Sequence, residues 1–297
     1  MKAIQQAALA AAACLTLCTA ASAEEAAAAP PSPFAAHIDV VSKYVLRGAT
    51  KTYGNGAPLG NAGADAPESN KAALQWGIDW SHPSGFSLGY WASTINYSYK
   101  QLGKSYDDRS IVSGFQNDKS IENDFYGAYA GKVGDFGYTV GGTGYYYING
   151  RHANAFETKL GVSYGPFALN AQTLLNDTVW GNQGDTYWTA IYTYALPYDI
   201  SFTGTLGAYT YKKEGKYLGT TDTLTGTACA ANEAFVVNGC FVGNRPVSSA
   251  FRHLTLGFSG PIAGTPLVWG LQGIVGGDTR YGIKQGNRVV VSLSALF

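Results

Sequence analysis

The residues of this chain that could act on a solute are polar groups spaced to share one face of a strand. Asp39, Lys43 and Arg47 recur every four residues, Gln75 and Asp79 likewise, and Glu157 with Lys159 and Asn170 with Gln172 lie two apart. In an extended segment these spacings put each set on a single side. Such a surface makes no covalent bond. Its chemistry is non-covalent: mixed-sign groups along a wet wall set which ions and small solutes pass. The plainer reading of the same residues is that Lys43 with Asp79, and Glu157 with Lys159, form ion pairs that fill a narrow interior.

Other candidates carry less. His82-Pro83-Ser84 offers an imidazole two residues before a hydroxyl, the elements of a base and a nucleophile. An outer-membrane phospholipase also pairs a His with a Ser two residues on, along a strand and with an Asn holding the imidazole. Here the pair flanks a proline in a turn, so no catalytic residue is assigned and the chain is not expected to be an enzyme. His37, His152 and His253 stand alone as surface or interface residues, and no metal or cofactor is expected. Gly141-Gly142-Thr143-Gly144 and Gly276-Gly277 lack the Lys-Ser/Thr of a phosphate loop and suit strands that bend tightly. Cys229 and Cys240, in an exported chain, read as a disulfide closing a loop.

The elements that must hold the polar faces are strands. The last ten residues alternate, with Val289, Val291, Leu293, Ala295 and Phe297 on one side and Val290, Ser292, Ser294 and Leu296 on the other. Similar alternation predicts strands at His37–Arg47, Ala72–Ser81, Phe86–Tyr97, Asp124–Lys132, Phe136–Tyr147 and Ala155–Tyr164. It predicts more at Phe167–Asn176, Asp185–Ala195, Ile200–Tyr211, Ala250–Ser259 and Pro266–Gly276. About twelve strands of this length suit an outer-membrane barrel, since a tilted membrane strand needs ~9–11 residues. Tight turns at His82, Val133, Gly165, Leu196 and Gly260 alternate with connections that are mostly longer, the greatest at 212–249. With both termini periplasmic, every tight turn falls on the periplasmic side. Hydrocarbon tolerates no open strand edge, so the first and last strands must pair.

Bulk composition agrees. The chain has 297 residues with 38 Gly and 21 Tyr, and 13% are charged against ~25% in a soluble domain. Twenty basic and twenty acidic residues cancel, which argues against a nucleic-acid partner. Trp76, Trp80, Tyr97, Tyr145, Tyr146, Tyr147, Trp180, Tyr187, Trp188 and Trp269 fall toward strand ends and read as two interfacial girdles. Met1-Lys2, the Ala/Leu run from Ala7 to Leu17, and Ala21-Ser22-Ala23 read as a signal peptide over residues 1–23. Leu17 is too large to precede a lipidated Cys18, and Cys14 lacks the upstream Leu. Residues 24–35 read as a flexible periplasmic lead-in, and 36–297 as the barrel.

Ser42-Lys-Tyr-Val-Leu-Arg-Gly48 and Gln75-Trp-Gly-Ile-Asp-Trp-Ser-His-Pro-Ser-Gly-Phe-Ser-Leu-Gly-Tyr-Trp-Ala-Ser93 resemble the opening signature of the TorF family of porins, proteobacterial outer-membrane proteins. The likeness is strongest over about residues 37–95 and implies a barrel and a porin role. It carries no substrate, and the 212–249 insert departs from it. The expectation is therefore an all-β, closed antiparallel transmembrane barrel in the bacterial outer membrane, passing small polar solutes by diffusion. The polar residues named at the outset would line its pore. Its partners would be outer-membrane lipid, small polar solutes and the barrel-assembly machinery, which would read Phe297. The alternative is a non-conducting barrel that works as an adhesin or receptor through its external loops.

Overall fold

The first and last strands pair. In the computed structural model, which describes residues 32–49, 71–95, 98–111, 119–222, 225–236, 239–242 and 246–297, His37 lies opposite Leu296 and Val41 opposite Ser292. Ala36 and Phe297 exchange backbone hydrogen bonds of 3.1 and 2.9 Å across that seam. In chain order the wall is β1 (Phe34–Val41), β2 (Ala73–Ser81), β3 (Phe86–Ile95), β4 (Ser120–Val133), β5 (Phe136–Tyr147), β6 (Ala155–Tyr164), β7 (Phe167–Leu174), β8 (Thr186–Leu196) and β9 (Ile200–Thr210). A separate two-stranded hairpin follows, β10 (Glu233–Val236) and β11 (Gly239–Val242). The wall then resumes with β12 (Ser249–Pro261), β13 (Leu267–Gly276) and β14 (Arg288–Leu296). Twelve antiparallel strands form one closed barrel. The expected signal peptide and most of the lead-in lie outside the described residues, and β1 already begins at Phe34.

Alternation decides which side chains face out. Ile38, Val40, Phe125, Val140, Leu160, Leu169, Leu206 and Val291 are exposed on the outer surface, and Phe297 ends the chain there at 74% exposure. Their strand neighbours Asp39, Glu157, Asn170 and Ser294 are buried inside. An apolar outside, an even strand number, and tight turns on one rim with longer loops on the other are the attributes of outer-membrane barrels. Among the described residues no helix is long and apolar enough to cross a membrane. The tight turns use left-handed backbone where reversal demands it: Gly134 and Gly165 have φ of 60° and 54°, and Tyr198 with Asp199 take 64° and 57°.

The girdle expected from sequence is only half right. Tyr146 and Trp188 do face out, but Tyr145, Tyr147 and Tyr187 are buried on the inner face, Trp180 is buried among the loops, and Tyr97 lies outside the described residues. Strand parity explains the error, because an inward position near a strand end has the same sequence signature as an outward one. At the turn rim the outer rings touch in series: Phe86 with Tyr129 at 4.9 Å, Phe136 with Tyr164 at 4.8 Å, Phe167 with Tyr192 at 5.1 Å, and Phe202 with Phe258 at 5.1 Å.

At the loop rim the connections fold together. The helix α1 (Lys100–Asp107), absent from the sequence expectation, buries Leu102 and Tyr106 in one cluster with Val179, Trp180, Leu218 and Tyr281 from three other loops. Asp107 anchors α1 by accepting hydrogen bonds from Arg151 and, at 2.8 Å, from His152. Burial alone would push the Asp107 carboxyl up, but the His152 and Arg151 contacts outweigh it and hold the group below its ordinary range.

Two outcomes follow. Leu160→Arg, on the lipid face at mid-strand, should cost about 2–4 kcal/mol in unfolding titrations from lipid vesicles, whereas Ser163→Arg on the inner face should stay within about 1 kcal/mol. Because the Asp107 carboxyl is a stronger acid folded than unfolded, its contribution is complete above the unfolded value of about 3.9 and fades as pH falls below it. Hydrogen exchange of α1 amides should therefore quicken, relative to those of β5, as pH drops from about 4 toward 2.

Candidate functional site

The expected first strand does not run to Arg47. It leaves the wall after Val41, with a last link at Ser42, whose N–H donates to the Val291 carbonyl at 2.8 Å and whose Oγ accepts from the Val291 N–H at 2.9 Å. Residues 43–49 then turn into the lumen as a strap. The reversal is built from left-handed backbone at Arg47 (φ 48°) and Gly48 (φ 72°), closed by the Ala49 N–H donating to the Leu46 carbonyl at 2.9 Å. Alternation could not reveal this, because Tyr44 and Leu46 keep the period of a strand. In the structure Tyr44 packs on Trp91, ring centroids 5.6 Å apart, and donates to Glu122 at 2.9 Å.

Arg47 crosses to the opposite wall. Its guanidinium donates to both carboxylate oxygens of Glu157 on β6, at 2.8 and 2.5 Å, and to the hydroxyls of Tyr209 and Tyr145, both at 2.9 Å. Tyr145 in turn donates to Glu157 at 2.9 Å, and the Tyr187 ring lies 4.8 Å from the guanidinium carbon. Arg252, fully buried on β12, donates to the Arg47 carbonyl at 3.0 Å. A forked pair of this kind is the strong form of ion pair, and its aromatic surroundings satisfy what the pair leaves over.

Among the described residues, two cavities border the strap. The larger, about 210 Å³, is bounded by Asp39, Lys43, Gln75, Asp124, Lys159 and Gln172. The smaller, about 140 Å³, lies against Thr203, Thr205, His253, Thr255 and Ser259. Val45, Arg47, Gln272, Ser292 and Ser294 border both.

All nine residues expected to line the lumen lie inside the barrel, but the ion pairs expected among them are replaced. Asp79 accepts from the Tyr126 hydroxyl at 2.5 Å instead of meeting Lys43, and Glu157 is taken by Arg47 instead of Lys159. Gln75 donates to Ser93 at 3.2 Å, and Asn170 donates to Thr189 at 3.2 Å. Sequence reading missed Tyr44, Glu122, Asp124, Tyr209 and Arg252. Starting β4 at Ser120, four residues before the expected boundary at Asp124, would have placed Glu122 and Asp124 on the inner face opposite the outward Phe125.

Two of the lone histidines prove to be interior. The Nδ1 of His37 is 2.6 Å from Asp39, and the Nε2 of His253 is 2.6 Å from the Tyr187 hydroxyl. Among the described residues no group of three or more His, Cys, Asp or Glu could hold a metal. His82 Nδ1 and Ser84 Oγ lie 2.7 Å apart in the exposed β2–β3 turn, where the Ser84 N–H also points at Nδ1 at 3.2 Å. Cys229 and Cys240 form the expected disulfide, Cα atoms 5.6 Å apart.

Truncating Arg47 to Ala leaves the Glu157 carboxylate buried with one donor, Tyr145, and should cost about 3–5 kcal/mol in chemical unfolding. Gly48→Ala should destabilise as well, since a Cβ there would meet the His253 Cβ at 2.6 Å in a backbone conformation that favours glycine.

A comparison with curated protein sequences finds no match. Among solved structures, LpxR from Salmonella typhimurium aligns with a TM-score of 0.45 at 8% identity, covering 89% of this chain and 99% of that one. The NanC porin aligns at 0.42 and 9%, covering 87% and 98%. Outer membrane phospholipase A from Escherichia coli aligns at 0.36 and 12%, covering 88% and 95%. No activity is carried over from these likenesses. Residues 25–257 match the family described as "Bacterial protein of unknown function (Gcw_chp)", and the chain belongs to that family.

Proposed function

We propose that this protein is a channel of the bacterial outer membrane through which small polar solutes diffuse, narrowed from within by the strap at residues 43–49. One observation carries the reading: a polar interior with two cavities, both bordered by an arginine that bridges the lumen. Asp39, Lys43, Arg47, Gln75, Asp79, Glu157, Lys159, Asn170 and Gln172 would set what passes, by charge and width and without a covalent step. The apolar outer face and the sorting of turns and loops between the rims support the outer-membrane location. The likeness of residues 42–48 and 75–93 to TorF porins supports the same role. Phe297, ending an amphipathic closing strand on the outer face, fits a signal read by the barrel-assembly machinery.

A second reading is favoured by the loop rim. There the buried aromatic cluster ties several loops together and a Cys229–Cys240 disulfide lies in the β9–β12 connection, which suits a non-conducting receptor or adhesin.

Planar bilayers separate the two. The folded protein should give discrete conductance steps, and Arg47→Ala should raise the step size about twofold or more by freeing the strap. Recordings indistinguishable from protein-free bilayers for both proteins would remove the channel reading and leave the receptor.

A further inference from the structure

Four neighbouring strands, β9, β12, β13 and β14, turn small polar side chains toward the smaller cavity. Register places them on one panel. Thr205 lies opposite Thr255, Thr203 opposite Gly257, Gly257 opposite Gln272, and Gly270 opposite both Ser259 and Ser292, with Ser294 opposite Val268. Neighbouring strands stand ~4.8 Å apart and alternate residues along a strand ~6.6 Å apart, so these groups surround a hollow at Gly257 and Gly270. A Cβ on Gly270 would run into the Ser292 Oγ, and one on Gly257 would touch the Gln272 Cγ at 3.5 Å.

Thr203, Thr205, Ser259, Gln272, Ser292 and Ser294 all border this cavity, and their side chains make no hydrogen bond among the described residues. Thr255 is already held by His253, whose Nδ1 is 2.9 Å from its Oγ1 and whose Nε2 is 2.6 Å from the Tyr187 hydroxyl, contacts that a neutral ring serves with one donor and one acceptor. Among the described residues no carboxylate or ammonium group lines the space. Its guanidinium, that of Arg47, has both terminal nitrogens engaged by Glu157, Tyr145 and Tyr209. Asp39, the register partner of Ser294, borders the larger cavity, with its Oδ2 2.6 Å from His37. An ion entering the smaller cavity would shed hydration without meeting a free counter-charge. A hydroxyl solute would exchange water for wall groups that, like itself, both donate and accept. The volume, about 140 Å³, lies below the ~300–1,000 Å³ of sites for drug-sized ligands. The solute must therefore be small.

We propose that the smaller cavity is a binding site for a small uncharged polyol, of about the size of glycerol or erythritol. The hydroxyls of Thr203, Thr205, Ser259, Ser292 and Ser294 and the amide of Gln272 take the place of its water, and the gap at Gly257 and Gly270 receives its carbon skeleton. The inference rests on the channel reading and names a solute class that would pause beside the strap.

The test is a saturation-transfer NMR titration of the folded full chain, in a zwitterionic detergent without a sugar headgroup, using three probes: erythritol, the erythronate anion and dimethoxyethane. Erythronate adds a charge to the same skeleton, and dimethoxyethane is neutral but has no hydroxyl to donate. Erythritol is expected to bind, with the other two weaker by about fivefold or more. No binding of erythritol, or equal binding of either of the others, overturns the site. The double variant Thr203→Val with Thr205→Val replaces hydroxyls by methyl groups of nearly the same shape and should weaken erythritol by about fivefold or more, its folding checked by heat-modified gel mobility. Should that variant not fold, Ser292→Ala with Ser294→Ala tests the β14 side with the same expected loss, and undiminished binding overturns the assignment. The titration needs no conduction. Erythritol binding without conductance steps would therefore remove the channel and keep the site, and steps without binding would do the reverse.

Discussion

A backbone amide inside hydrocarbon has no water to turn to, and the architecture of this chain answers that constraint. Each wall strand has a partner on both sides, including the pair between β1 and β14, whose members are separated by nearly the whole sequence. An unpaired edge at that seam would leave a row of donors and acceptors in lipid at several kcal/mol each. Closure then fixes the rest of the pattern. Once the wall is a cylinder, strand parity sends every second side chain into a confined interior, and the chain must fill or wet that space.

It does both. At the loop rim the connections pack their aromatic and aliphatic residues into one cluster. Deeper in, the contents are polar and charged. The network around Arg47 is a buried ion pair whose remaining donors and acceptors are largely met by tyrosine hydroxyls, while the Arg252 side chain donates to the Arg47 backbone carbonyl. Such a pair contributes little net stability compared with apolar packing, but it is costly to break from one side. Its effect is to hold one backbone segment in one place across a hollow, which apolar contacts alone specify less sharply.

The wall was legible in the sequence because period-two alternation and turn residues are local signals. β5 and β6 have the bounds that alternation predicts, and most other strands differ by a residue or two. The interior was less legible because its decisive facts are not local. Tyr44 and Leu46 continue the alternation of β1, so nothing short of Glu122, Glu157 and Arg252 shows that the segment has left the sheet. Tyr145 and Tyr187 sit at strand ends as interfacial aromatics do, and only parity, counted from the correct starting residue, puts them inside. The helix α1 has no acidic residue in its first turn and no side-chain cap. It is held by contacts with distant loops that sequence reading cannot supply.

The span of the Arg47 contacts bears on the order in which the molecule can be made. Its partners at Glu157, Tyr209 and Arg252 follow it by 110, 162 and 205 residues. During synthesis the arginine is made long before any of them, and its charge must be met by water until β6, β9 and β12 are in register. The full set of Arg47 contacts can therefore form only once β12 has been made, so the strap's final seat depends on strands from the far half of the chain.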